Sequence, residues 1–283
     1  MNDVDTELRQ RILADNIDLH SRQGYPEFYD RYVGIVRNPW ERRIFAEHIT
    51  RIVRDLKGRF PNEALTALDL GAGTGNLTLM LLARGVATIA VDISSPMLER
   101  LAAKARRYPG HMLKTINAGA DDVLAQFERE GRTFHLVAGC SVLHHLPDYL
   151  HTIALACKVV KGGGGMYFAH EPMRKDTVSP LSRAVQRLDF KLWRLQTHLK
   201  RLFGLDAPPD TYWTPQCLAD YWDLKAGCDQ AKIARTLRAA GFTANVLTYD
   251  SKRSRVLDTC CRALNTATLF AVIASSHYST RSK

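Results

Sequence analysis

Apolar and polar positions in the middle of the chain switch repeatedly between two periods. Leu65 to Leu70, Ala87 to Asp92, His111 to Asn117, Phe134 to Cys140 and Met166 to His170 are short apolar runs that read as strands. Between them, spacings of three and four predict helices over Gly75 to Arg84, Asp121 to Arg129 and Pro96 to Arg107, the last behind a Ser94-Ser95 cap. A further helix is expected from Pro147 to Val160, stopped by Gly162 to Gly165. Strands alternating with helices imply right-handed crossovers and a parallel sheet covered on both faces. Near the C-terminus, Gln230 to Ala240 reads as a helix ended by Gly241, followed by strands over Phe242 to Tyr249 and Thr266 to Ala274. The link Ser254 to Leu264 holds at most about three helical turns, so the last strand is expected to return antiparallel beside its predecessor. The expected fold is therefore α/β: a doubly wound, mostly parallel, seven-stranded sheet with an antiparallel last strand.

Two regions interrupt the alternation. Residues 1–60 carry helical patterns around Thr6 to Leu19 and Trp40 to Leu56, joined by an aromatic segment with Tyr25, Phe28, Tyr29 and Tyr32, and are expected to cap the ligand edge of the sheet. Residues 61–170 form the core, 171–228 a helical lid inserted after the fifth strand, and 229–283 the C-terminal part of the core. Within the insertion, Leu181, Val185, Leu188, Leu192, Leu195, Leu199 and Leu202 repeat in steps of three and four while Arg183, Arg187, Lys191, Arg194, Lys200 and Arg201 take other positions. This is an amphipathic basic helix. It admits three readings: a lid packing its leucines on the domain, a subunit contact making a homo-oligomer, or docking on an anionic membrane helped by Phe190, Trp193 and Phe203.

The 283 residues suffice for one large α/β domain. Charged positions from Asp3 to Asp18 exclude an apolar signal-peptide core, and no apolar run reaches membrane-spanning length. Six cysteines without a C-x-x-C pair predict free thiols, no metal site and a reducing, cytoplasmic compartment, with membrane association left open by the basic helix. The net charge of +10 favours anionic partners without naming one.

The richest chemistry lies in Leu68-Asp69-Leu70-Gly71-Ala72-Gly73-Thr74-Gly75-Asn76, where a strand enters a three-glycine turn before a helix. The glycines permit tight turning and close approach of backbone N–H groups to a ligand. The spacing is neither the dinucleotide G-x-G-x-x-G nor a phosphate-binding P-loop. Asp69 suits a cationic or hydroxyl-rich ligand better than a pyrophosphate.

Taken with Val91-Asp92 and with Val142-Leu143-His144-His145-Leu146-Pro147-Asp148 before a glycine-rich turn, this stretch resembles the class I S-adenosylmethionine-dependent methyltransferases of the small-molecule and lipid type. The resemblance covers residues 60–170 well and the C-terminal strands more loosely. It implies that Gly71, Ala72, Gly73, Gly75 and Asn76 line the methionine and ribose portion of S-adenosylmethionine, with Asp69 near its cationic end. It implies that Asp92 accepts both ribose hydroxyls, that Ile93 covers an adenine face, and that Cys140 presents a backbone carbonyl to the methionine amine. Ala120 and Asp121, with Asp122 as the alternative, would meet the adenine; Gly119 stands where many relatives carry an acidic residue.

Methyl transfer from a sulfonium is an in-line displacement governed by positioning and desolvation. The acid/base candidates are His145, Glu171 and His144, because the strands carry them to the ligand edge; the His-His pair can equally serve to hold the turn before Pro147. Tyr25, Tyr29, Arg37, His170, Tyr212 and Trp213 are candidate substrate contacts. The expected activity is methylation of O, N or C on a hydrophobic or amphipathic small molecule such as a specialised metabolite, quinone or lipid, yielding S-adenosylhomocysteine. The alternatives are a nucleic-acid methyltransferase, disfavoured because no Asn/Asp-Pro-Pro-Tyr/Phe motif follows the fourth strand, and a non-catalytic S-adenosylmethionine-binding scaffold with a docking helix.

Overall fold

The computed structural model describes residues 6–33, 38–208, 217–252 and 255–276. Its sheet has seven strands in the order β3-β2-β1-β4-β5-β7-β6: β1 Thr66–Leu70, β2 Ala87–Asp92, β3 Leu113–Asn117, β4 Phe134–Cys140, β5 Val160–Pro172, β6 Phe242–Tyr249 and β7 Leu269–Ser276. The first five run parallel, and β7 lies antiparallel between β5 and β6, as the short last connection requires. Strand order reverses between β1 and β4, so the glycine-rich turn after β1 opens at the topological switch point, where open α/β sheets bind ligands.

Alternation along the strands sends successive side chains to opposite faces. Leu68, Leu70, Val137, Met166 and Phe168 meet α6 (Ala120–Arg129), α7 (Tyr149–Lys158) and α10 (Gln230–Ala239) in one core. On the other face, Ala67, Leu136, Ala138, Tyr167 and Ala169 pack under α3 (Pro39–Arg59) and α4 (Thr78–Leu82). A smaller cluster holds α5 (Ser95–Ala105) against Ala90 through Leu98 and Leu101. Asn38 caps α3, its side chain accepting from the Trp40 and Glu41 amides, and Ser94 caps α5.

Several expectations need correction. The helix after the glycine turn starts only at Thr78, because Gly71, Gly73 and Gly75 all take positive φ (64°, 52° and 96°) and delay helical winding. Gly162 to Gly165 do not stop a helix. They lie inside β5, where pairing with β4 jumps from Phe134↔Val160 to Leu136↔Gly165, and a Cβ on Gly164 would stand 2.7 Å from the Lys161 carbonyl oxygen. Helix α3 belongs to the sheet sandwich rather than to a cap, since Phe45, Ile49, Val53 and Leu56 are core residues. From residues 1–60, α1 (Thr6–Ser21) and α2 (Tyr25–Tyr32) lie over the ligand edge as expected.

The insertion holds α8 (Pro180–Leu202) and the short α9 (Tyr221–Lys225), and α11 (Arg255–Ala263) packs beside α8. No described helix is long and apolar enough to cross a membrane.

Candidate functional site

A cavity of about 310 Å³ opens at the switch point. Its floor is the end of β1 and the glycine turn, with Asp69, Gly71, Ala72, Gly73 and Asn76; its sides are Asp92 and Ile93 after β2, Ala120, Asp121 and Asp122 after β3, and Cys140, Ser141 and Val142 after β4. Gly73 must remain small because its φ of 52° is the left-handed region, and a Cβ on Gly71 would stand 2.4 Å from Val142 Cγ2. Gly75 does not line this cavity: its missing Cβ lets Leu101 approach, so it shapes the turn from behind.

The cavity is acidic although the chain is basic. Asp69, Asp92, Asp121, Asp122 and Asp148 line it, against Arg9 and the rings of His20 and His145. Asp69 is buried; its Oδ2 accepts from Thr78 Oγ1 at 2.5 Å, while Oδ1 is the one buried side-chain polar atom without a partner among the described residues. Burial, with the Asp92 carboxylate adding to it, pushes the Asp69 carboxyl up to about 7. Asp92 accepts from the Gly73 amide at 2.8 Å on Oδ2 and from the Ser94 amide at 2.9 Å on Oδ1, and burial raises it too. Asp121 accepts from Thr152 Oγ1 and is likewise raised by burial. An unpaired carboxylate oxygen in a carboxylate-lined hollow selects a cationic ligand with hydroxyl and amine donors. That donor and charge set fits S-adenosylmethionine.

The roof comes from the N-terminal helices. Arg9, Leu13, Asn16 and His20 of α1 and Tyr29 of α2 line the cavity. Several links hold α1 in place. Arg9 pairs with Asp148 at 3.1 Å, Asn16 Nδ2 donates to the His145 carbonyl at 3.2 Å, Ser94 Oγ donates to the His20 carbonyl at 2.8 Å, and the Leu218 amide donates to Asp15 at 2.8 Å. Asp30 anchors α2, accepting from Thr74 Oγ1 at 2.6 Å, Lys104 Nζ at 2.6 Å and Arg100 Nε at 2.9 Å. Despite its burial cost, these donors hold its carboxyl below the ordinary range. The positions 9, 13, 16 and 20 form a single helical stripe, the sequence signal for which face of the expected N-terminal cap meets the cavity. Among the described residues of 171–228 none lines the cavity, but Ala219, Asp220 and Trp222 touch His145 and Leu146 at its rim.

The acid/base candidates separate. His145 lines the cavity, its Nδ1 2.7 Å from the Ala219 carbonyl and 3.4 Å from Asp220 Oδ1. Burial and the neighbouring His144 and His20 rings keep its conjugate acid well below the ordinary histidine range, so the ring is neutral at pH 7. Donation from Nδ1 to a carbonyl fixes the tautomer and leaves Nε2 as acceptor. Glu171 faces inward instead. Its Oε1 accepts from the Val142 and Leu143 amides at 2.9 and 3.0 Å, and Oε2 takes the His144 amide at 3.2 Å and His144 Nδ1 at 2.8 Å. With four donors and no exposure Glu171 is tied to the turn after β4, and His144 is buried with it; neither lines the cavity, where both were expected. One ligand atom each of His144, His145 and Asp220 lie within 4.8 Å of one another, a grouping that cysteine spacing does not reveal.

Among the described substrate candidates, Tyr25, Tyr29 and His170, Tyr29 alone lines the cavity. Tyr25 is packed between His20 and Phe28 in the cap core. His170, held at φ 58°, turns its Nδ1 to the buried Glu41 at 2.5 Å, beside Tyr249 and Ser251, away from the cavity. Arg37, Tyr212 and Trp213 lie outside the described residues.

Comparison with known proteins agrees with this geometry. Residues 68–166 match the family described as a methyltransferase domain. Over 121 residues the chain is 31% identical to the ubiquinone biosynthesis O-methyltransferase of Caulobacter vibrioides, the match covering 43% of this chain and 46% of that protein. The match thus spans about half the length of that curated relative. Among solved structures, the plantazolicin methyltransferase BamL, in complex with a triazolic desmethylPZN analog and SAH, superposes with a TM-score of 0.56 at 12% identity, covering 95% of this chain and 98% of that one. Magnesium protoporphyrin IX methyltransferase of Synechocystis with bound SAM gives 0.53 at 13% identity, covering 94% and 97%. At these identities the structural likeness establishes a shared fold.

Proposed function

We propose that this chain, which carries a methyltransferase domain on the class I methyltransferase fold, binds S-adenosylmethionine at the switch-point cavity and methylates a hydrophobic or amphipathic small molecule. The observation that carries the reading is the unpaired, buried Asp69 Oδ1 in a cavity walled by carboxylates. Asp69 would take the ammonium of the methionine portion, Asp92 the ribose hydroxyls, and the residues after β3 the adenine. When bound, S-adenosylmethionine supplies an electrophilic methyl group on a sulfonium.

The chain's part is to bind, orient and exclude water. The glycine turn fixes depth, and Leu13, Met97, Val142, Leu146 and Pro147 make the remaining wall apolar. His145 Nε2 would accept a proton from an acceptor hydroxyl or amine, a role supported by its occupied Nδ1 and neutral ring. The modest cavity under a two-helix roof suits a small acceptor better than a polymer. The relative named for ubiquinone biosynthesis and the neighbour named for magnesium protoporphyrin IX support an apolar or amphipathic one.

Isothermal titration with S-adenosylmethionine and S-adenosylhomocysteine tests the binding half. Asp92→Ala is expected to weaken both by at least about tenfold, the loss of charge-assisted hydrogen bonds. No binding to the parent chain, or no loss in the variant, refutes the reading. Release of S-adenosylhomocysteine on presenting phenolic and quinol acceptors tests turnover; binding without release for any acceptor supports a scaffold instead.

A further inference from the structure

Helix α8 is built the opposite way round from a lid. The positions it buries are Ser182, Asp189 and Thr197, whereas most of its leucines face solvent: Leu181 is 47% exposed, Leu188 46%, Leu195 55% and Leu202 66%, with Val185 and Leu192 half-buried. The apolar surface continues past the helix end through Phe203 and Leu205. At about 100° per residue, Val185, Leu192 and these leucines span an arc of about 100°, and Arg183, Arg187, Lys191 and Arg194 an adjoining arc of about 80°. Those four cations are exposed and make no ion pair among the described residues. Neighbouring α11 also exposes Val256, and Leu264 just past its end is exposed too.

We propose that α8 is a membrane-surface helix that lies in the headgroup region of an anionic phospholipid bilayer, leucines inward and arginines on the phosphates. An apolar stripe beside a basic arc is the composition that binds such an interface. Charge complementarity decides between this occupant and a second copy of the chain. A two-fold contact through the same stripe would bring two rows of unpaired cations together, while a bilayer carrying negative headgroups neutralises them.

The tip of α8 also touches the roof of the cavity. Asp206, just beyond the helix, accepts from Arg31 Nε at 3.0 Å and from the Tyr32 hydroxyl, both on α2, the helix that contributes Tyr29 to the cavity. A docked α8 therefore sets α2 at the bilayer surface, where an apolar acceptor would be found. The docking itself does not depend on methyl transfer.

The test is co-sedimentation of the full chain with vesicles of phosphatidylcholine alone or with about one-third phosphatidylglycerol. The parent chain should bind the anionic vesicles and release as salt is raised. Arg187→Gln with Lys191→Gln should weaken binding about 25-fold, from about fivefold per basic residue at the surface. Leu188→Glu with Leu195→Glu should abolish it. These are exposed positions, and unchanged circular dichroism and thermal melting check the fold. Equal binding to both vesicle types, or sedimentation unchanged by the leucine substitutions, overturns the proposal. So does a parent chain that is dimeric, ignores vesicles and becomes monomeric on those substitutions.

Discussion

Asp69 links ligand binding to pH, and its neutral isostere Asp69→Asn isolates the effect. In the ligand-free protein, burial and the adjacent Asp92 hold this carboxyl at about 7, so it is largely protonated below neutrality. A cationic ligand requires the ionised form. Below about pH 7 each binding event must then release one proton, so affinity falls about tenfold per pH unit and about 25-fold between about pH 7.5 and about pH 5.5. Asp92 and Asp121 also line the cavity and are raised by burial, and His145 is lowered, which is why the variant rather than the profile alone assigns the proton.

The stability of the ligand-free protein moves the other way. A carboxyl raised on folding binds more protons in the native than in the unfolded state between about pH 4 and about pH 7, so native stability is lost as pH rises through that window. At about 1.4 kcal/mol per unit the loss is about 4 kcal/mol. Isothermal titration of S-adenosylmethionine in two buffers of different ionisation enthalpy counts the proton directly. Urea melts across the same range measure the stability. Asp69→Asn should bind weakly with a flat profile and remove the stability slope. An affinity that is flat with pH in the parent chain, or a slope that survives in the variant, refutes the reasoning.

Glu171→Gln should cost about 3–5 kcal/mol of stability, because an amide nitrogen would face N–H groups the carboxylate now receives; loss of turnover with unchanged thermal melting would instead make Glu171 a chemical participant. Asp30→Asn removes the charge that joins α2 to Thr74, Arg100 and Lys104, leaving Lys104 half-buried without its counter-ion. It should weaken S-adenosylmethionine binding about tenfold and hasten proteolysis within 22–33, at about 1–3 kcal/mol of lost interaction, with core melting barely changed.

Much of the fold was legible because it rests on local rules. The ends of β2 and β4 coincide with the expected Ala87 to Asp92 and Phe134 to Cys140, since apolar runs bounded by turn residues admit one strand register in a buried parallel sheet. The short link before Leu269 forced the antiparallel return. Gly162 to Gly165 misled because glycine marks both a helix end and a β-bulge, and only pairing with β4 distinguishes them. The site divided along the same line. Asp69, Asp92 and the glycine turn are local to strand ends and were readable in order. The state of Glu171 was not, because its four donors come from residues 142–144, nearly thirty positions upstream.

The sequence by itself determined a seven-stranded α/β sheet, a glycine turn at its switch point, and carboxylates placed for a cationic nucleoside-like ligand. It also determined that α8 would have one apolar and one basic face. Only the tertiary structure decided what each face meets: α1 turns Arg9, Leu13, Asn16 and His20 to the cavity, and α8 turns Ser182, Asp189 and Thr197 inward and most of its leucines out. Periodicity states which residues share a side of a helix. Which side is buried depends on the partners that distant segments bring to it, as does the charge on Asp69.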